Sequence, residues 1–349
     1  MGKLLEKFVC LSKKLPVVVI TGEGRKVAKE TIFQVLKNDF KIGREIFIFE
    51  TEDDKIKEFE FFLKKSELPI LVVTHVGEIP FDRDYFAGEI EKVKFTRELA
   101  KILPPKSWLV LNYDDETVRE IDDITNLKTF TFGFSERANF WVSNIKLNRG
   151  TNFKVNYKGS VVPFWLEGIF GKEQIYGALA AVAVGIIFGK NLVEISQALR
   201  EYKTQPGKMR LLEGIKGSFI LDDAESATVS SMIEAIEILG DLSGFKRKIA
   251  VLGDIVGVGE YTIAAHLTIG EKVVQKKIDL LFTFGPRAKF IAKGAMEKGM
   301  SSFQIFSFDK IEDGIEKLKE IVRAGDLILI DGSKEMKMSE IVDKLRKIW

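Results

Sequence analysis

Residues 17–32 read VVVITGEGRKVAKETI. The apolar run Val17–Ile20 has the composition of a buried strand, and an amphipathic helical pattern begins after Lys26. Between them stand Gly22, Gly24, Arg25 and Lys26, two glycines and two cations in five residues. Strand, glycine-rich loop and helix is the layout that cradles phosphate, with backbone amides and a helix N-terminus aimed at the anion. The residue after Lys26 is Val27, where a magnesium-binding hydroxyl is expected, and Glu23 adds negative charge. Two readings stand side by side: weak anion binding by Gly22, Gly24, Arg25 and Lys26, or a strand-to-helix turn with solvated charges.

Few other residue types offer strong chemistry. The chain has 349 residues, one cysteine (Cys10) and two histidines (His75 and His266). An internal disulfide is impossible and a Cys/His zinc site is excluded. Cys10 reads as a small apolar residue, and both histidines read as structural. The net charge of +2 gives no field for nucleic acid. No apolar run reaches the roughly 18 residues of a membrane span, and the N-terminus lacks a signal-peptide pattern. The expectation is a cytoplasmic protein that binds neither nucleic acid nor membrane.

The elements that must position these residues follow from hydrophobic periodicity. Strand patterns at Val17–Thr21, Ile46–Glu50, Ile70–Thr74, Trp108–Asn112 and Thr129–Phe132 alternate with helical ones, which predicts a doubly wound parallel sheet. Between Asn139 and Leu166 the period changes to two and predicts a small antiparallel layer. Helices follow at Lys172–Phe188 and Leu192–Tyr202. KTQPGKMR (203–210), with Pro206 and Gly207, punctuates the chain. Beyond it the alternation restarts, giving units of 1–205 and 206–349. Its strands are Gly217–Leu221, Lys248–Leu252, Leu280–Phe284, Gln304–Ser307 and Leu327–Ile330, and its last helix is Glu335–Lys347. Ligands of open α/β sheets sit at the carboxyl ends of the strands.

GKMRLLEGIKGSFILDDAESATVSSMIEAIEIL, VLGDIVGVGEYTIAAHLTIGEKV, LFTFGPRAKFIAKGAMEKGM and GDLILIDGSKEMKMSEIV occur in that order. Together with VITG, VVTHVGEIPFDRDYF and GIFGKEQIYGALAAVAVG they resemble the Mur ligase family, most closely its MurF branch, over about 320 residues. The resemblance implies an α/β fold: a P-loop-type central domain with a small antiparallel layer, then a Rossmann-like C-terminal domain. It also implies ATP- and magnesium-dependent activation of a carboxylate that an amine then attacks. The family's UDP-sugar domain is not matched, and the segment before Glu50 is short, so the resemblance implies an altered substrate.

Several positions depart from the family pattern. The glycine loop is one residue shorter. Either Gly24 takes the second glycine position, Arg25 the lysine and Lys26 the hydroxyl, or Lys26 keeps the lysine position and Val27 replaces the hydroxyl. Glu50 and Asp82 fall at metal-associated positions, while Thr96 stands where the family carbamylates a lysine. Glu173, Gln174 and Gly177 replace His, Asn and Asn at the nucleotide-base segment, and only Gln174 could substitute. Asp222 and Asp223 match, but Glu225 and Ser226 replace a tyrosine and an asparagine, and Asp331 a lysine. Arg210, Gly253, Asp254, Gly259, Glu260, His266, Gly285, Gly332 and Ser333 match.

The scaffold is kept and the chemistry-bearing ends are altered. The resulting expectation is a catalytically degenerate homologue that acts by binding, as a partner or regulator of cell-wall ligases. In it Gly22, Gly24, Arg25, Lys26, Gln174, Arg210 and Asp223 are vestiges of a nucleotide site. The alternative is an active ATP-dependent carboxylate–amine ligase using Arg25 and Lys26 for phosphate and Glu50 and Asp82 for magnesium.

Overall fold

The structure is a computed structural model and describes residues 14–52, 58–76, 97–98, 101, 103–225 and 227–347. Cys10, Asp82, Thr96 and Ser226 lie outside the described residues.

In the first unit β1 (Val17–Thr21), α1 (Arg25–Leu36), β2 (Phe47–Glu50), α2 (Glu60–Lys65), β3 (Pro69–Val73), β4 (Trp108–Asn112), α3 (Glu116–Asp123) and β5 (Lys128–Gly133) alternate. Then follow β6 (Phe140–Leu147), β7 (Gly150–Tyr157), β8 (Ser160–Glu167), α4 (Lys172–Ile187) and α5 (Leu192–Arg200). The sheet order is β2-β1-β3-β4-β5-β6-β7-β8. The run of four apolar residues in β1 has a direct cause. Val18 and Ile20 join a core with α1 and α4, whereas Val17 and Val19 join one with α2 and α3. Both faces are covered, so no polar alternation survives.

The expected antiparallel strands form one end of the parallel sheet. β5 pairs in parallel with β6 through Phe132–Phe140 and Gly133–Trp141, and β6–β7–β8 extend the same sheet. Phe140 stacks on Tyr157 at 4.3 Å between centroids and Phe130 meets Phe140 edge-on at 5.1 Å. That aromatic seam carries one core across the change of strand direction.

The second unit comprises β9 (Arg210–Glu213), β10 (Phe219–Asp223), α6 (Val229–Asp241), β11 (Arg247–Gly253), α7 (Thr262–Gln275), β12 (Leu280–Phe284), α8 (Ala288–Glu297), β13 (Ile305–Phe308), α9 (Ile311–Ile321), β14 (Asp326–Asp331) and α10 (Ser339–Leu345). Its order is β13-β12-β11-β14-β10-β9, parallel except for β9. β9 was not expected from the sequence. It pairs antiparallel with β10 from Arg210–Asp222 to Glu213–Phe219, and Phe170 N donating to Met209 O at 2.9 Å and Leu211 N to Gly168 O at 2.7 Å join it to the segment after β8. The last helix is shorter than its periodicity predicts. Lys334–Met336 is a separate 3-10 turn, and Lys337 is left-handed at φ 52°, which ends the turn before α10.

Capping matches local sequence. Thr228 and Ser231 form a reciprocal box at α6, and Asn191 and Glu194 form one at α5. Among the described residues no helix is long and apolar enough to cross a membrane.

Candidate functional site

The glycine loop leaves β1 and opens α1. Gly22 has φ +96°, and a Cβ there would fall 2.6 Å from His75 O, so only glycine fits. Glu23 N donates to His75 O at 2.7 Å, and the Thr74 hydroxyl donates to Thr21 O at 2.9 Å and to Glu23 O. The loop is thus fastened to the end of β3. Gly24, at φ +76°, is the N-cap of α1. Arg25 and Lys26 are the first two residues of α1. Arg25 Nη1 turns back to Gly22 O at 3.3 Å, and Nη2 faces Glu52 at 3.5 Å. Lys26 is exposed, and Val27 is buried against α4, where a Cβ on Gly177 would lie 2.6 Å from Val27 Cγ1.

A carboxylate leans over this loop. A Cβ at Gly24 would lie 3.3 Å from Glu173 Cγ and 3.7 Å from Glu173 Oε1. Glu173 also faces Lys208 Nζ at 4.0 Å. Its neighbour Gln174 is buried and points elsewhere. Gln174 Nε2 donates to Thr204 Oγ1 at 3.1 Å and Lys208 O at 3.2 Å, while Tyr202 OH donates to Gln174 Oε1 at 3.3 Å. Tyr202 OH also reaches Glu30 Oε2 at 3.2 Å. Burial pushes the Glu30 carboxyl up, opposed by that hydrogen bond. Gln174 therefore joins α4 to the 202–208 connection, with its amide engaged inside the protein.

Of the metal candidates, Asp82 and the Thr96 position fall outside the described residues. Glu50 Oε1 pairs with Lys29 at 3.4 Å, and its Oε2 is buried without a partner. Among the described residues no three His, Cys, Asp or Glu side chains converge on one point. A feature not anticipated lies at the ends of β3 and β4. His75 Nδ1 is 3.2 Å from Asp115 Oδ2, and Asp115 also accepts from Val76 N at 2.8 Å and caps α3 at Val118 N. The only signal was the paired acids of NYDDET, an ordinary N-cap sequence.

The second sheet presents its own acids. Asp222 Oδ2 accepts from Gly207 N and Arg210 Nε, each at 2.9 Å. Arg210 is thereby held within its own unit. Asp223 accepts from Met209 N at 3.2 Å, and burial pushes its carboxyl up to about 8, with Lys208 opposing. Asp331, opposite Asp223 in register, is pushed well above the usual carboxylate range by burial and then by Asp223. Asp254 accepts from Ala288 N at 2.7 Å. His266 Nδ1 lies 2.6 Å from Thr262 O and its Nε2 accepts from Ile255 N at 3.2 Å, a satisfied internal histidine.

Between the two units lies a cleft of about 460 Å³ lined by Lys26, Lys208, Lys334, Glu225, Glu335 and Ser333. Lys334 pairs with Glu225 at 3.5 Å. The structure thus brings Lys26 together with cations from the second unit, but not with Gln174 or Arg210, whose polar groups serve internal contacts. Lys208 was missed because KTQPGKMR stands out in the sequence as chain punctuation and for Arg210 rather than for this lysine.

Residues 10–185 match the Mur ligase middle domain, and residues 207–334 match the Mur ligase, glutamate ligase domain. The chain belongs to the Mur ligase family. It is 31% identical over 353 residues to the UDP-N-acetylmuramoyl-tripeptide–D-alanyl-D-alanine ligase of Bacillus subtilis, covering 94% of this chain and 75% of that protein. It is 28% identical to the ligase of that name from Buchnera aphidicola, covering 89% of this chain and 66% of the relative. The fold is that of MurF from Acinetobacter baumannii, with a TM-score of 0.83 at 18% identity, covering 98% of this chain and 79% of that one. The Mur ligase scaffold is therefore present from β1 to β14.

Proposed function

We propose that this Mur ligase homologue has kept the family scaffold and interdomain cleft, has lost amide-bond formation, and acts by binding in a peptidoglycan context. The observation that carries the reading is Glu173 leaning over Gly24 while Arg25 closes onto Gly22 O and Glu52. Phosphoryl transfer needs positive charge and a metal on the transferring group. Here a carboxylate stands beside the loop, one cation is turned inward, and Val27 packs into the core instead of offering a hydroxyl. The partner is a second protein of the cell-wall ligase kind.

A second reading is supported by Lys26, Lys208 and Lys334 around the cleft. Three ammonium groups suit a polyphosphate, and the 31% identity to a UDP-N-acetylmuramoyl-tripeptide–D-alanyl-D-alanine ligase is in keeping with an active ATP-dependent ligase.

Calorimetry with ATP and magnesium separates the two. The binding reading expects no heat of ATP binding at millimolar nucleotide. A dissociation constant tighter than about 0.1 mM, weakened tenfold or more by Lys26→Ala, overturns it in favour of the ligase.

A further inference from the structure

Asp223 closes β10, Asp331 closes β14, and the two are cross-strand partners. In-register residues of adjacent parallel strands share a face, on strands about 4.8 Å apart. That face carries Leu221, Leu327 and Leu329 in the core that also holds Phe170 and Met209. The pair is withdrawn from solvent, with Asp223 at 6% and Asp331 at 0% exposure. Asp223 accepts from the Met209 amide at 3.2 Å. Neither oxygen of Asp331 has a hydrogen-bond partner of good geometry, although the Gly332 amide lies near enough to favour its charged form.

Buried polar groups are almost always satisfied, and an orphaned carboxylate calls for an explanation. Burial and the mutual field of the two carboxyls favour a proton on the pair when no cation is present. A water could donate to Asp331 but would leave the charge uncompensated. Arg210 is committed to Asp222. Lys208 acts on both Asp223 and Asp331 but is shared with Glu173 at 4.0 Å. Three carboxylates thus draw on one ammonium, too little positive charge to hold both aspartates ionised. One hard divalent cation supplies that charge, and magnesium is commonly held by one or two carboxylates with water filling its other positions.

We propose that Asp223 and Asp331 form a binding site for a hard divalent cation of the magnesium type, beside Lys208 where the ends of β10 and β14 meet the interdomain cleft. The cleft is lined by Lys208 and by Ser333, two residues beyond Asp331. With no third acidic side chain converging among the described residues, affinity falls at about 0.1–1 mM, the weak end of carboxylate sites. The site needs no nucleotide. Its failure and the failure of the binding reading of the glycine loop are separate results.

The test is thermal unfolding and calorimetry of the full chain, freed of metal with a chelator and titrated with MgCl2 or CaCl2 at constant ionic strength without ATP. The expected result is one bound cation and a rise in Tm of about 2 °C at tenfold excess over Kd. Asp331→Asn should abolish the rise while leaving the metal-free protein as stable as the wild type or more so. Asp223→Asn is the second variant and should weaken binding at least tenfold, giving a reading if Asp331→Asn does not fold. No cation-dependent shift in the wild type, or a shift that persists in both variants, overturns the proposal.

Discussion

Val27 on α1 and Gly177 on α4 meet so closely that a Cβ on Gly177 would fall 2.6 Å from Val27 Cγ1 and 3.3 Å from the Val27 carbonyl carbon. The Thr31 hydroxyl seals the same contact by donating to Gly177 O at 2.7 Å. The side chain after Lys26 is therefore part of a helix–helix interface. Gly177→Ala is expected to destabilise the protein by about 1–3 kcal/mol through overpacking against backbone that cannot move aside. Urea denaturation measures it; an unchanged midpoint would show that the two helices have slack.

Glu173 offers a direct handle on the glycine loop. Its carboxylate lies beside Gly24 and draws on Lys208. Glu173→Gln removes the repulsion beside the loop, so affinity for inorganic pyrophosphate should rise on the order of fivefold, equivalent to about 1 kcal/mol. Calorimetric titration of both proteins in low salt reads the difference. Equal affinities would mean that Glu173 is not what keeps anions away.

Arg210 matches the family pattern, yet its guanidinium is spent on Asp222, which is 2% exposed. Arg210→Ala leaves a buried carboxylate with backbone donors alone. The expected loss is about 2–3 kcal/mol, at the low end for a broken buried pair because the arginine itself is partly exposed. Adding Asp222→Asn should recover part of that loss. A purely additive double mutant would contradict the pairing.

His266 sets an acid-side limit. Burial holds its pKa below the ordinary 6.5, since protonation would aim a proton at the Ile255 amide. Between the lowered folded value and the unfolded value, the unfolded chain binds the extra proton. Stability from this group is therefore full above about pH 6.5 and lost as the pH falls through the folded pKa. His266→Asn keeps an acceptor for the Ile255 amide and should flatten the slope of Tm against pH between about 6.5 and 5. An unchanged slope would assign the acid sensitivity to other groups.

The strands were legible because a strand covered on both faces has to be apolar throughout, and Val17–Ile20 or Leu327–Ile330 can be little else. β9 was not, since Arg210–Glu213 is short, lacks the apolar run of a covered strand, and lies at the sheet edge beside β10. The joining of β6–β8 to the parallel sheet was hidden because periodicity reports the faces of a strand, not its neighbour. The site was legible only as residue types. That Gly24 caps α1 follows from local conformation, but that Glu173 arrives above it depends on where α4 packs.

By itself the sequence determined the α/β alternation, the glycine loop and the family to which they belong. Those are properties of local periodicity, turn chemistry and matched order. Tertiary structure alone decided that Gln174 and Arg210 serve internal contacts, that Lys208 enters the cleft, and that Asp223 and Asp331 stand side by side. The two aspartates are more than a hundred residues apart, and only the parallel pairing of β10 with β14 makes them one charged pair.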